Sequence, residues 1–231
     1  VSMGAQIEGI GTNRLSINGV QKLHGTEFTI GSDFMETGSF IGAAAVTGSE
    51  LRICNASPQD LGMIRLVYNQ LGVDWVVDGD DIIVSADQRM TIENAISGRM
   101  LEIKPLPWPG FPPDLMSILV IIATQSEGDV LLHDWMYESR FFFVDKLSFM
   151  GARTVLCDPH RVIIHGKTQL YADPGGVSSP DIRAGMTMLL AALCAKGTTR
   201  IGNIHQIDRG YEDIENKLRM IGAHIERTNI K

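Results

Sequence analysis

The chain holds few of the residues that mark out most functional classes. Its 231 residues include only three cysteines, Cys54, Cys157 and Cys194, with neither a CxxC pair nor metal-like spacing. A disulfide framework is therefore not expected, and the sparse thiols fit a reducing cytosol. Cys194 follows the apolar run 188–193 and reads as a small buried thiol rather than a nucleophile. The six histidines form no ligand pattern, which argues against a metal centre. There is no P-loop, no dinucleotide fingerprint and no nucleophile elbow. The acidic run Asp78-Gly79-Asp80-Asp81 lacks the rest of a calcium loop and predicts a hairpin turn. No signal peptide is evident, and the longest apolar stretch, residues 118–123, is far too short to cross a bilayer. It reads as a buried helix. Basic residues are the minority charge, 20 Lys and Arg against 27 Asp and Glu, for a formal net charge of −7. The basic face of a nucleic-acid binder is thus not expected. A small anionic ligand stays open, because a few arginines gathered in a cleft set the local field.

What the chain does have is a core and a repeat. Hydrophobic residues make up 44% and charged residues 20%, ordinary values for a globular protein of a size that can bury a sizeable core. Three times an apolar helical segment ends near a glycine and runs into a strand. The first passage is Ala43-Ala44-Ala45 to Gly48 and residues 50–53. The others are Ile121-Ile122-Ala123 to Gly128 with residues 129–132, and Ala191-Ala192-Leu193 to Gly197 with residues 198–201. A second amphipathic helix follows each passage and closes on Gly72, Gly151 or Gly222, a residue suited to the left-handed position after a helix. Two short strands come next, residues 74–77 with 81–85 and 154–156 with 161–165, whereas the last repeat reaches only 224–227.

The unit is therefore strand–helix–strand–helix–strand–strand. Residues 3–7 and 14–17 match the end of such a unit without its helix. The expectation is one repeat-built α/β (α+β) domain over residues 1–231, cut from a longer array, with 1–20 the tail of a preceding repeat. One unit cannot bury both faces of its helices and sheet. Three packed about a pseudo-threefold axis can, with apolar helices inside and sheets outside. Tandem independent domains are the alternative, and the all-round apolar character of residues 115–123 and 186–194 favours shared burial.

Two helix starts place an acid just after a proline, Phe111-Pro112-Pro113-Asp114 and Ser178-Ser179-Pro180-Asp181-Ile182-Arg183. A proline at the first helical position with an acid beside it favours initiation and suits the helix dipole, so both acids have a purely structural reading. The stiff, aromatic-flanked run Pro107-Trp108-Pro109-Gly110 before Asp114 is more than a helix start needs, and keeps a catalytic reading open. Arg140 follows Asp114 by 26 residues, and Arg209 follows Arg183 by the same 26 (140 − 114 and 209 − 183). Equivalent loops of successive repeats could thus bring Arg140, Arg183 and Arg209 to one rim, where guanidinium groups would pair with the carboxylate or phosphate of a small dianion. Ordinary surface ion pairing is the competing reading for each.

In order and spacing, these motifs resemble the C-terminal domain of the UDP-N-acetylglucosamine enolpyruvyl transferases, within the wider enolpyruvyl transferase family. The resemblance covers essentially the whole chain. It rests on Glu36-Thr37-Gly38-Ser39-Phe40, Phe111-Pro112-Pro113-Asp114, Glu138-Ser139-Arg140-Phe141, Asp181-Ile182-Arg183-Ala184 and His205-Gln206-Ile207-Asp208-Arg209-Gly210-Tyr211. It implies two similar domains of three βαβαββ units that close on substrate, of which the N-terminal one, with its lysine–asparagine pair and cysteine loop, has no counterpart here. The implied reaction moves the enolpyruvyl group of phosphoenolpyruvate to the 3′-hydroxyl of UDP-N-acetylglucosamine in cytoplasmic peptidoglycan synthesis. No metal or organic cofactor is implied, and neither nucleic acid nor membrane is a partner. By resemblance Asp114 is the general base beside the sugar hydroxyl and Asp181 its rival or helper. Arg140 and Arg183 are carboxylate ligands, Arg209 a phosphate ligand, and the Met136-Tyr137 backbone touches the nucleotide sugar. The chain departs from the usual family pattern at Pro113 and Pro180, where threonine is usual, and at Ser139, where asparagine is usual. Alone, it is expected to show no turnover. An enolpyruvylshikimate phosphate synthase-like enzyme and a non-catalytic sugar-nucleotide-binding paralogue are the alternatives, and an RNA-processing relative fits the acidic balance least.

Overall fold

The structure is a computed structural model that describes residues 1–94 and 98–228. It opens with an antiparallel hairpin of β1 (Gln6–Glu8) and β2 (Ser16–Asn18), and residues 1–32 stay largely exposed. The core begins with α1 (Phe34–Thr47). The Asp33 carboxylate accepts from the Met35 N–H at 2.8 Å and caps this helix, which ends where Gly48 turns left-handed at φ 61°. Next come β3 (Leu51–Ile53), α2 (Gly62–Gln70), β4 (Val76–Asp78) and β5 (Asp81–Val84). The second repeat runs β6 (Leu101–Ile103), α3 (Met116–Gln125), β7 (Gly128–His133), α4 (Val144–Phe149), β8 (Arg153–Asp158) and β9 (Arg161–Gly166). The third holds β10 (Val177–Ser178), α5 (Ile182–Cys194), β11 (Ile201–Gly202), α6 (His205–Asp208) and α7 (Ile214–Met220).

Helices α1, α3 and α5 pack against one another in all three pairs and form the centre. This is why α3 is apolar on every side. Met116, Ile118, Leu119, Val120, Ile121 and Ile122 are each fully buried, worth about 1.5–3 kcal/mol apiece for the larger side chains relative to exposure. Close approach of α1 to α3 depends on Gly42, where a Cβ would stand 2.9 Å from Ile118 Cγ2. The sheets lie outside this triplet, in the orders β3-β5-β4, β6-β7-β9-β8 and β10-β11. Alternate residues of their strands, such as Ile82 and Val84, Val130 and Leu132, and Val162 and Ile164, point inward and are fully buried. β6 and β7 run parallel, as do β10 and β11, each pair joined by its central helix in a crossover. Helices inside and sheets outside is the arrangement expected from the repeats.

The repeats close their outer helices identically. Val73 N donates to Tyr68 O at 3.0 Å, Ala152 N to Leu147 O at 2.9 Å and Ala223 N to Leu218 O at 3.0 Å, across Gly72, Gly151 and Gly222, all at positive φ. Four expectations need correction. Residues 224–227 form no strand and the strand expected at 198–201 shrinks to Ile201–Gly202, because the third sheet has only two strands among the described residues and offers 224–227 no hydrogen-bonding partner. The first repeat shows no opening strand between β2 and α1. The two proline-led helix starts also differ. Pro113 opens a 3-10 turn (Pro113–Leu115), whereas Pro180 lies outside α5, whose N-cap is Asp181.

Candidate active site

Packing α3 beside α5 sets their N-terminal ends together, and three of the expected residues meet there. Asp114 sits in the 3-10 turn ahead of α3, Arg183 in the first turn of α5, and Arg140 in the loop after β7. Arg183 Nε stands 3.2 Å from Asp114 Oδ2 and Arg140 Nη2 stands 3.5 Å from Asp114 Oδ1, the second at the long limit of a hydrogen bond. The carboxylate is the open member, 36% exposed, against 14% for Arg140 and 18% for Arg183. Arg183 Nη1 is buried without a hydrogen-bond partner. A buried guanidinium donor left unpaired is costly, and an anionic ligand would satisfy it.

The two carboxylates separate on local geometry. Asp181 Oδ1 accepts from the N–H groups of Arg183 and Ala184, both at 2.8 Å, and so caps α5. Asp114 makes no such cap, and its oxygens face the two guanidinium groups instead. A helix-end role thus falls to both acids in different forms: Asp181 caps α5 by hydrogen bonds, whereas Asp114 lies in the first turn after Pro113 without capping and turns its oxygens to the guanidinium groups. Arg209 is exposed, with Nη1 on Gln206 Oε1 at 2.9 Å, and has no contact with Asp114. Its neighbour Gly210 lies against the site, since a Cβ there would sit 3.6 Å from Arg183 Nη1. The backbone N–H groups of Met136 and Tyr137 both donate to Asp134 Oδ1 at 3.0 Å, and the Tyr137 ring lies under Arg140, 4.6 Å from the guanidinium carbon. Ser139, between them, is left-handed at φ 64°. Beside the Asp114 turn is a small apolar recess, ≈ 110 Å³, walled by Phe34, Ile64, Leu106, Trp108 and Pro112.

Tyr211 supports Arg183 from below. Its ring centre is 5.5 Å from the guanidinium carbon, and its hydroxyl is 2.8 Å from Ser39 Oγ, which itself donates to Met35 O at 2.8 Å. Burial pushes the Tyr211 phenol above its ordinary pKa, although Ser39 and Arg183 pull the other way. Burial works against the charge on Arg183, but Tyr211 and Asp114 more than offset it and raise its pKa. Among the described residues, no group of three or more His, Cys, Asp or Glu side chains could hold a metal ion.

The family model for EPSP synthase (3-phosphoshikimate 1-carboxyvinyltransferase) matches residues 1–218. The chain belongs to the EPSP synthase family. Among its relatives, UDP-N-acetylglucosamine 1-carboxyvinyltransferase of Treponema denticola is 50% identical over 224 residues, covering 97% of this chain and 52% of the relative. The protein of the same name from Borreliella burgdorferi is 52% identical over 226 residues, with coverage of 98% and 52%. The chain thus spans about half the length of the curated relatives it matches. The enolpyruvyl transferase NikO from Streptomyces tendae superposes with a TM-score of 0.79 at 26% identity, covering 97% of this chain and 52% of that one. EPSP synthase from Acinetobacter baumannii shares the fold, with a TM-score of 0.71 at 21% identity and coverage of 99% and 54%.

Within this EPSP synthase family member, sequence reasoning missed Asp134 and the Ser39–Tyr211 pair. Asp134 is fully buried yet follows a strand in an unremarkable Leu-His-Asp-Trp string, so only its burial reveals it. Ser39 and Tyr211 lay inside quoted motifs, but 172 residues separate them, and no local pattern joins them. Cys194 is partly rather than fully buried, packed against the core, and its surroundings push its thiol up to about 12. Within the Asp78–Asp81 run, Gly79 and Asp80 form the two-residue turn between β4 and β5. No helix among the described residues is long and apolar enough to cross a membrane.

Proposed function

We propose that this chain supplies the C-terminal half of an enolpyruvyl transfer site acting on phosphoenolpyruvate and UDP-N-acetylglucosamine, in cytoplasmic peptidoglycan synthesis. The single observation that carries the reading is the rim itself: an open Asp114 carboxylate bracketed by Arg183 at 3.2 Å and Arg140 at 3.5 Å, beside the orphaned Arg183 Nη1. In the proposed reaction Asp114 takes the proton of the sugar 3′-hydroxyl as its oxygen bonds to C2 of phosphoenolpyruvate and C3 gains a proton. Breaking the C2–O bond to phosphate, with loss of a C3 proton, restores the enol double bond and releases phosphate. Arg140 and Arg183 hold the carboxylate, and Arg209 meets the phosphate, fixed positive charge where negative charge moves. The Met136-Tyr137 segment borders the nucleotide sugar, and Asp181 stands by as a second proton carrier. The remaining groups belong to the part of the relatives' length that this chain does not span.

The names of the relatives that are about half identical favour the nucleotide sugar over shikimate 3-phosphate as acceptor. Phosphate release by the full-length protein, with phosphoenolpyruvate and each acceptor in turn, tests this. Release is expected with UDP-N-acetylglucosamine and absent with shikimate 3-phosphate. The reverse pattern overturns the acceptor, and release by this chain alone overturns the half-site.

A further inference from the structure

Asp134 is a fully buried carboxylate with no part in the chemistry proposed above, and burying such a charge is unfavourable unless it is paired. Its surroundings show what it is paired with. Oδ1 accepts from Met136 N and Tyr137 N, both at 3.0 Å. Oδ2 stands 2.9 Å from Arg140 Nε, close enough for strong charge attraction, although the N–H is too far off line to count as a hydrogen bond. The backbone of Asp134 is pinned as well: its N–H donates to His160 O and its carbonyl meets His160 Nδ1, each at 2.8 Å. One anchored side chain thus touches both the segment proposed to border the sugar and the arginine proposed to hold the carboxylate of phosphoenolpyruvate.

We propose that Asp134 is a positioning residue that sets the Arg140 guanidinium and the 136–137 turn at the rim of the site. Arg140 has few other constraints, a stacked Tyr137 ring and a long contact to Asp114, so the aim of its guanidinium depends on the charge behind it. The functional half of the proposal rests on the enolpyruvyl-transfer reading; the Asp134–Arg140 link does not.

Asp134→Asn is the informative variant. Asparagine keeps an acceptor for the two N–H groups but turns an amide donor toward Arg140 Nε and removes the charge. In the full-length protein, KM for phosphoenolpyruvate is expected to rise at least about tenfold while KM for the acceptor changes less than about threefold. Introduced on top of Arg140→Lys, the same change should add less than about threefold, because Asp134 acts through Arg140. Independently of turnover, hydrogen exchange at Arg140 Nε–H, followed by nitrogen-15 NMR and assigned by its loss in Arg140→Lys, should quicken at least about tenfold. If Asp134→Asn does not fold, Asp134→Glu, which moves the charge by one methylene, takes its place. Unchanged exchange overturns the proposal, as does an effect on both KM values alike or full additivity with Arg140→Lys. Absence of transfer by the unmutated full-length protein would instead defeat the functional reading, and exchange would then decide the Asp134 link alone.

Discussion

The two acids that look alike in sequence should part company when each is replaced. Asp181 closes the start of α5 with two hydrogen bonds of 2.8 Å, so Asp181→Ala should lower stability by about 1 kcal/mol. For a chain of this size that is a fall in Tm of about 2–4 °C. Asp181→Asn retains a good cap and should melt within about a degree of the parent. Asp114 caps nothing, and its ion pairs at 3.2 and 3.5 Å involve a carboxylate that is 36% exposed. Solvent screening limits their worth to about 0–1 kcal/mol, so Asp114→Asn should leave the melting curve almost unmoved. Its effect should fall on turnover instead, by about 10²–10⁴-fold for loss of a general base. Thermal melts of this chain and phosphate release by the full-length protein, with each of the three substitutions, separate these outcomes. Turnover of Asp114→Asn within about threefold of the parent, or a stability loss beyond about 3 kcal/mol, would refute the assignment. Asp181→Asn should still lose turnover with melting unchanged, because the capping acid is also the second proton carrier; an unchanged rate would leave it a cap alone.

Removing Ser39 should cost more than removing its partner's hydroxyl. Ser39→Ala strands the buried Tyr211 O–H, a loss of about 1–3 kcal/mol by denaturant titration, while Tyr211→Phe leaves Ser39 still bonded to Met35 O and should cost about 1 kcal/mol or less. Alkaline stability should fall because burial raises the pKa of both Tyr68 and Tyr211 above the ordinary 10.0. Below pH 10 both states hold these protons; above it the unfolded chain loses them first, so unfolding free energy should drop by about 1.4 kcal/mol per pH unit per tyrosine until the folded state also ionises. The Tyr68→Phe and Tyr211→Phe double variant should flatten that slope, and an unchanged slope would refute the assignment. Ser139 is left-handed at φ 64°, so Ser139→Gly should stabilise by about 0.5–1 kcal/mol in the same titration, with a loss of stability counting against that backbone geometry.

Most of the architecture was legible because it is written in periodic patterns. The glycines at 72, 151 and 222 announced three helix ends, and the apolar run at 118–123 announced a helix covered on all sides. Strand 224–227 was not legible as absent, because a strand depends on a partner and its own residues do not reveal whether one is there. In the site, equal 26-residue spacing pointed to Arg140, Arg183 and Arg209 near one rim; the structure joins the first two to Asp114 and leaves Arg209 exposed on Gln206. The same spacing said nothing about Asp134, which meets Arg140 only in the folded chain, nor about which acid is a cap. Pro113 and Pro180 looked equivalent in sequence, yet only the hydrogen bonds of Asp181 and Asp114 show that one acid caps a helix and the other faces two guanidinium groups.

A crystal structure of the full-length protein with UDP-N-acetylglucosamine and an unreactive phosphoenolpyruvate analogue tests the central claim most directly. The account expects the sugar 3′-hydroxyl within about 2.6–3.2 Å of the Asp114 carboxylate, and an anionic oxygen of the analogue on Arg183 Nη1. Both ligands bound away from Asp114, with Arg183 Nη1 still unpaired, would contradict it.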